Sequence, residues 1–106
     1  MYTLYFDGAS KGNPGVSGAG AVIYKDDEEV LSTSIFVGEK HTNNQAEYLG
    51  LIIGLLKALD LNVKTLMIKG DSKLVLNQVS GKWQVKSENL KNLAKQSRSL
   101  INLLIM

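Results

Sequence analysis

Three acidic residues stand at positions from which their side chains could act together. Asp7 follows one strand-like stretch, Asp71 follows another, and Glu47 lies in the second turn of a predicted helix. If the two strands are parallel neighbours, Asp7 and Asp71 lie side by side at one edge of a sheet, with Glu47 above them. Clustered carboxylates repel one another unless a cation neutralises them, and all-oxygen ligands suit Mg²⁺, with Mn²⁺ as a substitute. Such an ion binds phosphate oxygens and lowers the pKa of a bound water, which is the chemistry of hydrolysis.

Each of these carboxylates also has a plain structural explanation. An aspartate after a strand is often a turn residue or a helix cap, as Asp71 before Ser72 could be. A single glutamate on a helix, such as Glu47, is usually a solvated surface residue. The functional hypothesis therefore depends on the topology that brings the three together.

The elements that must position them begin with three strand-like stretches, at residues 2–6, 21–24 and 30–37. Short links between them predict an antiparallel meander. Residues 7–20 contain five glycines and the only proline, which predicts a tight, irregular turn.

The sequence after the three predicted strands has features typical of a helix. Thr42 and Gln45 have the spacing of a capping box and predict a helix that ends at Asn62. Its apolar positions at helical spacing are Ala46, Leu49, Ile53, Leu56 and Leu59 or Ala58.

The second half of the chain predicts a short buried strand at residues 65–68 and two further helices. Ser72 caps a helix over residues 73–80, and Gly81 stops it. The final helix spans residue 87 to about residue 104. Its inward positions are Leu90, Leu93, Ser97, Leu100 and Leu104.

This order, βββαβαα, predicts an α/β fold in which a mixed sheet carries three antiparallel strands and a parallel fourth strand, with helices packed on it. A length of 106 residues fits a single domain over residues 1–106. The absence of cysteine excludes disulfides and thiolate zinc sites, and makes a cytoplasmic location the simplest expectation. No apolar stretch reaches the length of a membrane span, and a net charge of +2 permits nucleic-acid binding without requiring it.

Three segments in this order resemble the signatures of type 1 ribonuclease H. The first reads YFDGASKGNPG at residues 5–15, followed by GAGA at 18–21. The second reads TNNQAE at residues 42–47, and the third reads GDS at 70–72 with Leu74 and Val75. The stretch GKW at residues 81–83, with Lys86, is similar to the segment that follows in the family. The resemblance covers essentially the whole chain.

The resemblance implies hydrolysis of the RNA strand of an RNA/DNA hybrid by two metal ions, giving 5′-phosphate products. Asp7 would bridge both ions, and Glu47 and Asp71 would hold the second. The implied contacts to the hybrid come from Asn13, Asn44 and Gln45 toward the RNA strand, Ser10 toward the backbone, Trp83 near the DNA strand, and Lys82 and Lys86 toward phosphates. Gln45 could instead serve only the helix cap, Trp83 could be packing, and the lysines could be solvated charges.

The resemblance also implies a fifth strand and another helix after the last helix, with a fourth acidic metal ligand. The sequence has no acidic residue after Glu88, which lies at a helix start elsewhere. Two alternatives therefore stay open: a hybrid-binding module without catalysis, and a fragment that self-associates through the open edge of the fourth strand.

Overall fold

The computed structural model describes residues 1–12 and 14–104. The predicted order of elements is confirmed. The strands are β1 (Tyr2–Lys11), β2 (Gly15–Lys25), β3 (Glu28–His41) and β4 (Leu66–Gly70). The helices are α1 (Asn43–Asp60), between β3 and β4, then α2 (Lys73–Val79) and α3 (Glu88–Leu104).

The four strands form one mixed sheet in the order β3-β2-β1-β4. β1 pairs with β2 antiparallel and β2 with β3 antiparallel, whereas β1 and β4 are parallel. The predicted α/β fold class is thus confirmed, including the parallel fourth strand. Within the described residues β4 is an edge strand, so self-association through its outer side stays a prediction.

The glycine-rich segment is a long hairpin, and the prediction of an irregular turn over residues 7–20 is wrong. β1 continues to Lys11 and β2 begins at Gly15, so Asp7 lies inside β1 rather than at its end. Gly8 of this segment and Gly50 of α1 allow close packing of the helix on the sheet. A Cβ on Gly8 would lie 2.3 Å from the backbone nitrogen of Glu47, and a Cβ on Gly50 would lie 2.5 Å from the backbone oxygen of Asp7. The backbone of α1 therefore rests directly on β1.

α1 is buried on two sides, which the spacing of its apolar residues did not predict. It packs against β1 and β2 on one side and against α3 on the other. Leu51, Leu55 and Ala58 are fully buried, whereas the predicted inward residue Leu56 is 47% exposed. A helix between two layers has no single apolar stripe, so the expected face was partly wrong.

α3 follows its predicted pattern more closely. Leu90, Ala94, Ser97 and Leu104 are buried against the core, and the predicted residues Leu93 and Leu100 pack at its margin. The buried Ser97 hydroxyl donates to the carbonyl of Leu93 at 2.8 Å, so its polar group is satisfied within the helix. Among the described residues no helix is long and apolar enough to span a membrane.

We predict that Gly50→Ala destabilises the chain, although alanine is favoured over glycine within helices. The added methyl would overlap the backbone oxygens of Asp7 and Gly20, and overpacking of this kind costs about 1–3 kcal/mol, which exceeds the helix-propensity gain of about 1 kcal/mol. The free energy of unfolding from urea titration measures the effect. Gly18→Ala is the control, because its Cβ would meet nothing closer than 3.6 Å. Equal stability of the two variants would show that the α1–β1 contact is not tight.

Candidate functional site

The parallel pairing of β1 with β4 brings two of the predicted acidic residues together. Phe6 pairs with Gly70 at the end of the register. Asp7 is the next residue in β1, and Asp71 directly follows the end of β4. Both side chains are exposed, and both line a concavity of about 310 Å³ on the sheet. One carboxylate oxygen of Asp7 accepts a hydrogen bond from the Gly8 N–H at 2.9 Å.

Glu47 joins them from α1, because the close approach at Gly8 sets its backbone directly over β1. Its side chain is half-buried. Burial raises the pKa of the Glu47 carboxyl, and the negative charges of Asp7 and Asp71 raise it further, while a hydrogen bond with Ser72 opposes the shift. Glu47 is therefore near enough to Asp7 and Asp71 to be repelled by both charges.

The chemistry of this set suits a hard divalent cation, although the side chains do not converge fully. Within residues 1–12 and 14–104, no three histidine, cysteine, aspartate or glutamate side chains lie close enough together to hold a metal ion. The donors are nevertheless all carboxylate oxygens, which Mg²⁺ prefers. Asp7 and Asp71 are exposed on the surface, where side chains exchange readily between staggered rotamers.

The capping box at the start of α1 forms as predicted. The Gln45 N–H donates to the Thr42 hydroxyl at 3.1 Å, and the Thr42 N–H donates to the Gln45 side-chain oxygen at 2.8 Å. That oxygen of Gln45 is thus engaged in the helix cap. Contact of Gln45 with RNA stays a prediction.

Ser10 is tied into the loops around the start of α1. Its hydroxyl donates to the backbone carbonyls of Gly12 and, at 2.9 Å, His41. Its N–H donates to the side-chain oxygen of Asn43 at 2.7 Å, which joins β1 to α1. The predicted residue Asn13 lies outside the described residues. The proposed contacts of Ser10 and Asn13 with nucleic acid stay predictions.

Most of the other predicted binding residues line a groove of about 700 Å³. Asn44 from α1 lines it together with Lys82, Trp83 and Lys86 from the segment between α2 and α3. The Trp83 side chain is 48% exposed. The backbone N–H of Trp83 donates to the backbone carbonyl of Asn77 at 3.0 Å, which anchors the segment to the end of α2. An exposed indole between lysines is typical of a nucleic-acid surface.

Three groove residues were missed by sequence reasoning: Gln78, Gln84 and Asn89. No spacing in the sequence indicates them, because they meet only where α2 and α3 pack together. Gln78 is buried, and its side-chain oxygen accepts a hydrogen bond from the Tyr48 hydroxyl at 2.6 Å. Its backbone carbonyl accepts from the Arg98 guanidinium, also at 2.6 Å.

The contact between Tyr48 and Gln78 joins α1 to the groove. Tyr48 is fully buried, and this burial raises the pKa of its hydroxyl to about 12, against the opposing influence of the Arg98 charge. The hydroxyl therefore stays protonated at ordinary pH and donates its hydrogen bond throughout. α1 thus carries Glu47 toward the carboxylates and Tyr48 toward the groove.

Comparison with known proteins identifies the family of this chain. A family model described as "Reverse transcriptase-like" matches residues 5–104. The bifunctional protein Rv2228c of Mycobacterium tuberculosis is 45% identical over 95 residues, which are 89% of this chain and 26% of that protein. Ribonuclease HI of Halobacterium salinarum is 37% identical over 97 residues, which are 92% of this chain and 49% of that enzyme. The chain thus spans about a quarter and about half of the lengths of these two relatives.

Solved structures show the same fold. The N-terminal RNase H domain of Rv2228c, solved as a fusion with maltose-binding protein, superposes with a TM-score of 0.92 at 38% identity. The match covers 98% of this chain and 75% of that chain. LC11-RNase H1, solved in complex with RNA/DNA hybrid, superposes with a TM-score of 0.89 at 30% identity, covering 97% of this chain and 78% of its own. By sequence and by structure, the chain belongs to the ribonuclease H-like superfamily.

Proposed function

We propose that this chain is a ribonuclease H domain that hydrolyses the RNA strand of RNA/DNA hybrids with the help of a divalent cation, giving 5′-phosphate products. The observation that supports the proposal is the parallel register of β1 and β4, which brings Asp7 and Asp71 to one edge of the sheet, while Glu47 on α1 is close enough to be affected by both charges. Ribonuclease H enzymes among the relatives support the same reaction class.

In this proposal Asp7, Glu47 and Asp71 hold Mg²⁺, for which Mn²⁺ can substitute. When bound, the ion would activate a water and would neutralise charge on the phosphate and on the leaving 3′-oxygen. The residues of the chain supply the positioning. The contact of α1 with β1 sets the height of Glu47 above the sheet, and the β1–β4 register sets the spacing of the two aspartates.

The groove beside this site is proposed to hold the hybrid. Asn44 and Gln45 lie three and two residues before Glu47 in the first turns of α1. Amide side chains can donate to and accept from a 2′-hydroxyl, although the side-chain oxygen of Gln45 already accepts from the Thr42 N–H. Lys82 and Lys86 line the same groove as Asn44 and suit phosphate contacts. The structural neighbour LC11-RNase H1 was solved in complex with RNA/DNA hybrid, which supports this substrate class.

A second candidate is hybrid binding without cleavage. The observation that favours it is the incomplete convergence of the carboxylates among the described residues. A labelled hybrid with Mg²⁺ separates the candidates, because both predict binding and only the first predicts cleavage.

We predict that the 106-residue chain cleaves a labelled hybrid at least about a hundredfold more slowly than a form extended by the segment that follows in Halobacterium ribonuclease HI. The resemblance implies a fourth carboxylate in that segment, and a reacting group misplaced by about 1 Å loses about that factor in rate. Time courses with Mg²⁺ and with Mn²⁺ measure the difference. Asp71→Asn in the extended form should abolish cleavage, with Asp60→Asn, exposed at the end of α1, as the control.

Two results would contradict this account. Equal rates for the short and extended forms would show that residues 1–106 hold a complete site. An active Asp71→Asn variant would remove Asp71 from the site.

We predict a preference for hybrid over duplex DNA at matched salt, because DNA lacks the 2′-hydroxyl that the amides would meet. Asn44→Ala should reduce that preference by about two- to tenfold, the effect of losing one hydrogen bond. Asn92→Ala is the control, since Asn92 is exposed on α3 and does not line the groove. Fluorescence anisotropy with both duplexes gives the ratio. Indistinguishable affinities of the parent for hybrid and DNA would count against the proposed substrate.

We predict that Glu47→Gln stabilises the cation-free chain at neutral pH. The folded state raises the pKa of Glu47, so its contribution to stability is full below the unfolded pKa of about 4.3 and is lost as pH rises through the folded pKa. Glutamine does not titrate, so the stability gain should be present at pH 7 and absent near pH 4. Urea titrations at both pH values measure it, with Glu39→Gln on β3 as the exposed control. A Glu47→Gln variant less stable than its parent at pH 7 would show that the carboxylate is not repelled there.

A further inference from the structure

A second concavity lies beyond the groove, on the other side of Trp83. Its volume is about 570 Å³, and its lining includes Lys91 and Arg98 from α3. Lys82, Trp83 and Gln84 line both this concavity and the groove. The two depressions therefore adjoin at the segment of residues 82–84.

The second concavity is strongly cationic. Lys82, Lys91 and Arg98 line it, and Glu88 is the carboxylate that opposes them, through an ion pair with Lys91 at 2.9 Å. The Lys91 and Glu88 side chains in that pair are 51% and 84% exposed, so the pair is weak and Lys91 can exchange it for another anion.

The Arg98 side chain is held in position by a hydrogen bond to a backbone carbonyl rather than by an ion pair. Its guanidinium donates to the backbone carbonyl of Gln78 at 2.6 Å, which leaves the positive charge without a carboxylate partner in that contact. A guanidinium has five N–H donors, so further donors remain for an incoming anion. A fixed guanidinium loses less side-chain freedom on binding than a mobile one.

The distribution of charge along the chain points to the same face. Residues 73–106 contain six of the twelve basic residues but only one of the ten acidic residues, so the near-neutral net charge conceals a cationic C-terminal third. A surface of this kind attracts polyanions and raises the rate at which they arrive.

We propose that the concavity lined by Lys82, Lys91 and Arg98 is a second phosphate-binding subsite, in which the backbone of a bound nucleic-acid strand continues past Trp83. The proposal rests on the proposed function, since the first groove must hold the hybrid. The exposed indole of Trp83 then lies between two phosphate contacts and packs against the sugar or base between them. The subsite recognises the charge and the spacing of the phosphates and contributes no base specificity.

The test compares three single substitutions that each remove one positive charge. Lys91→Gln alters the second concavity, Lys86→Gln alters the groove, and Lys95→Gln alters neither. Lys95 lies one turn from Lys91 on α3 and lines a different, mostly apolar depression, so it matches Lys91 in helix and charge. Hybrid affinity is measured for each variant between about 50 and about 200 mM salt, and thermal melts check that all three fold.

A lost phosphate contact reduces the slope of log affinity against log salt by about 0.9. We expect this reduction for Lys91→Gln and Lys86→Gln, and little change for Lys95→Gln. The weakening caused by Lys91→Gln should accordingly shrink by about 3.5-fold across that range of salt. The same slope for Lys91→Gln and Lys95→Gln would overturn the subsite and leave only diffuse attraction. If the parent does not bind hybrid, the proposed function itself fails, which is a distinct result.

Discussion

The contact on which the rest of the structure depends is the backbone of α1 lying directly on β1 and β2. Gly8 on the strand and Gly50 on the helix both lie where a side chain would collide with backbone atoms. Because both are glycine, the helix rests closer to the sheet than ordinary side-chain packing allows. That closeness brings Glu47 within electrostatic reach of Asp7 and Asp71. Burial is the main cause of the raised pKa of Glu47, and the two negative charges add to it. The repulsion of Glu47 by the two aspartates is thus a consequence of how α1 packs on the sheet.

A second set of contacts connects α1 to the surface through α2 and α3. Tyr48 donates to Gln78 on α2, and Gln78 in turn accepts from Arg98 on α3. Buried hydrogen bonds of this kind are costly to break because their groups would be left unpaired. The groove and the second concavity are therefore fixed to the same helix that carries Glu47.

Much of this could be predicted from the sequence, because the signals are local. The capping residues Thr42 and Ser72 both form the caps that their spacing indicates. The glycine-rich segment was misread, because glycine indicates equally a turn and a close backbone contact. The partner that decides between them, Ala46–Glu47, is almost forty residues away. Gln78 and Arg98 gave no signal for a similar reason, since their roles arise only from the packing of α2 against α3.

The first turns of α1 also set a length scale. Asn44 and Glu47 are three residues apart on one rigid helix, a rise of about 4.5 Å. This distance is similar in size to the axial advance per base pair, which is about 3.4 Å in double-stranded DNA. Under the proposed function, recognition of the sugar and cutting of the backbone would address the same nucleotide or its immediate neighbour. α1 would then fix the distance between these two points of contact, because its rise per residue is constant and its position is set by the contact with the sheet.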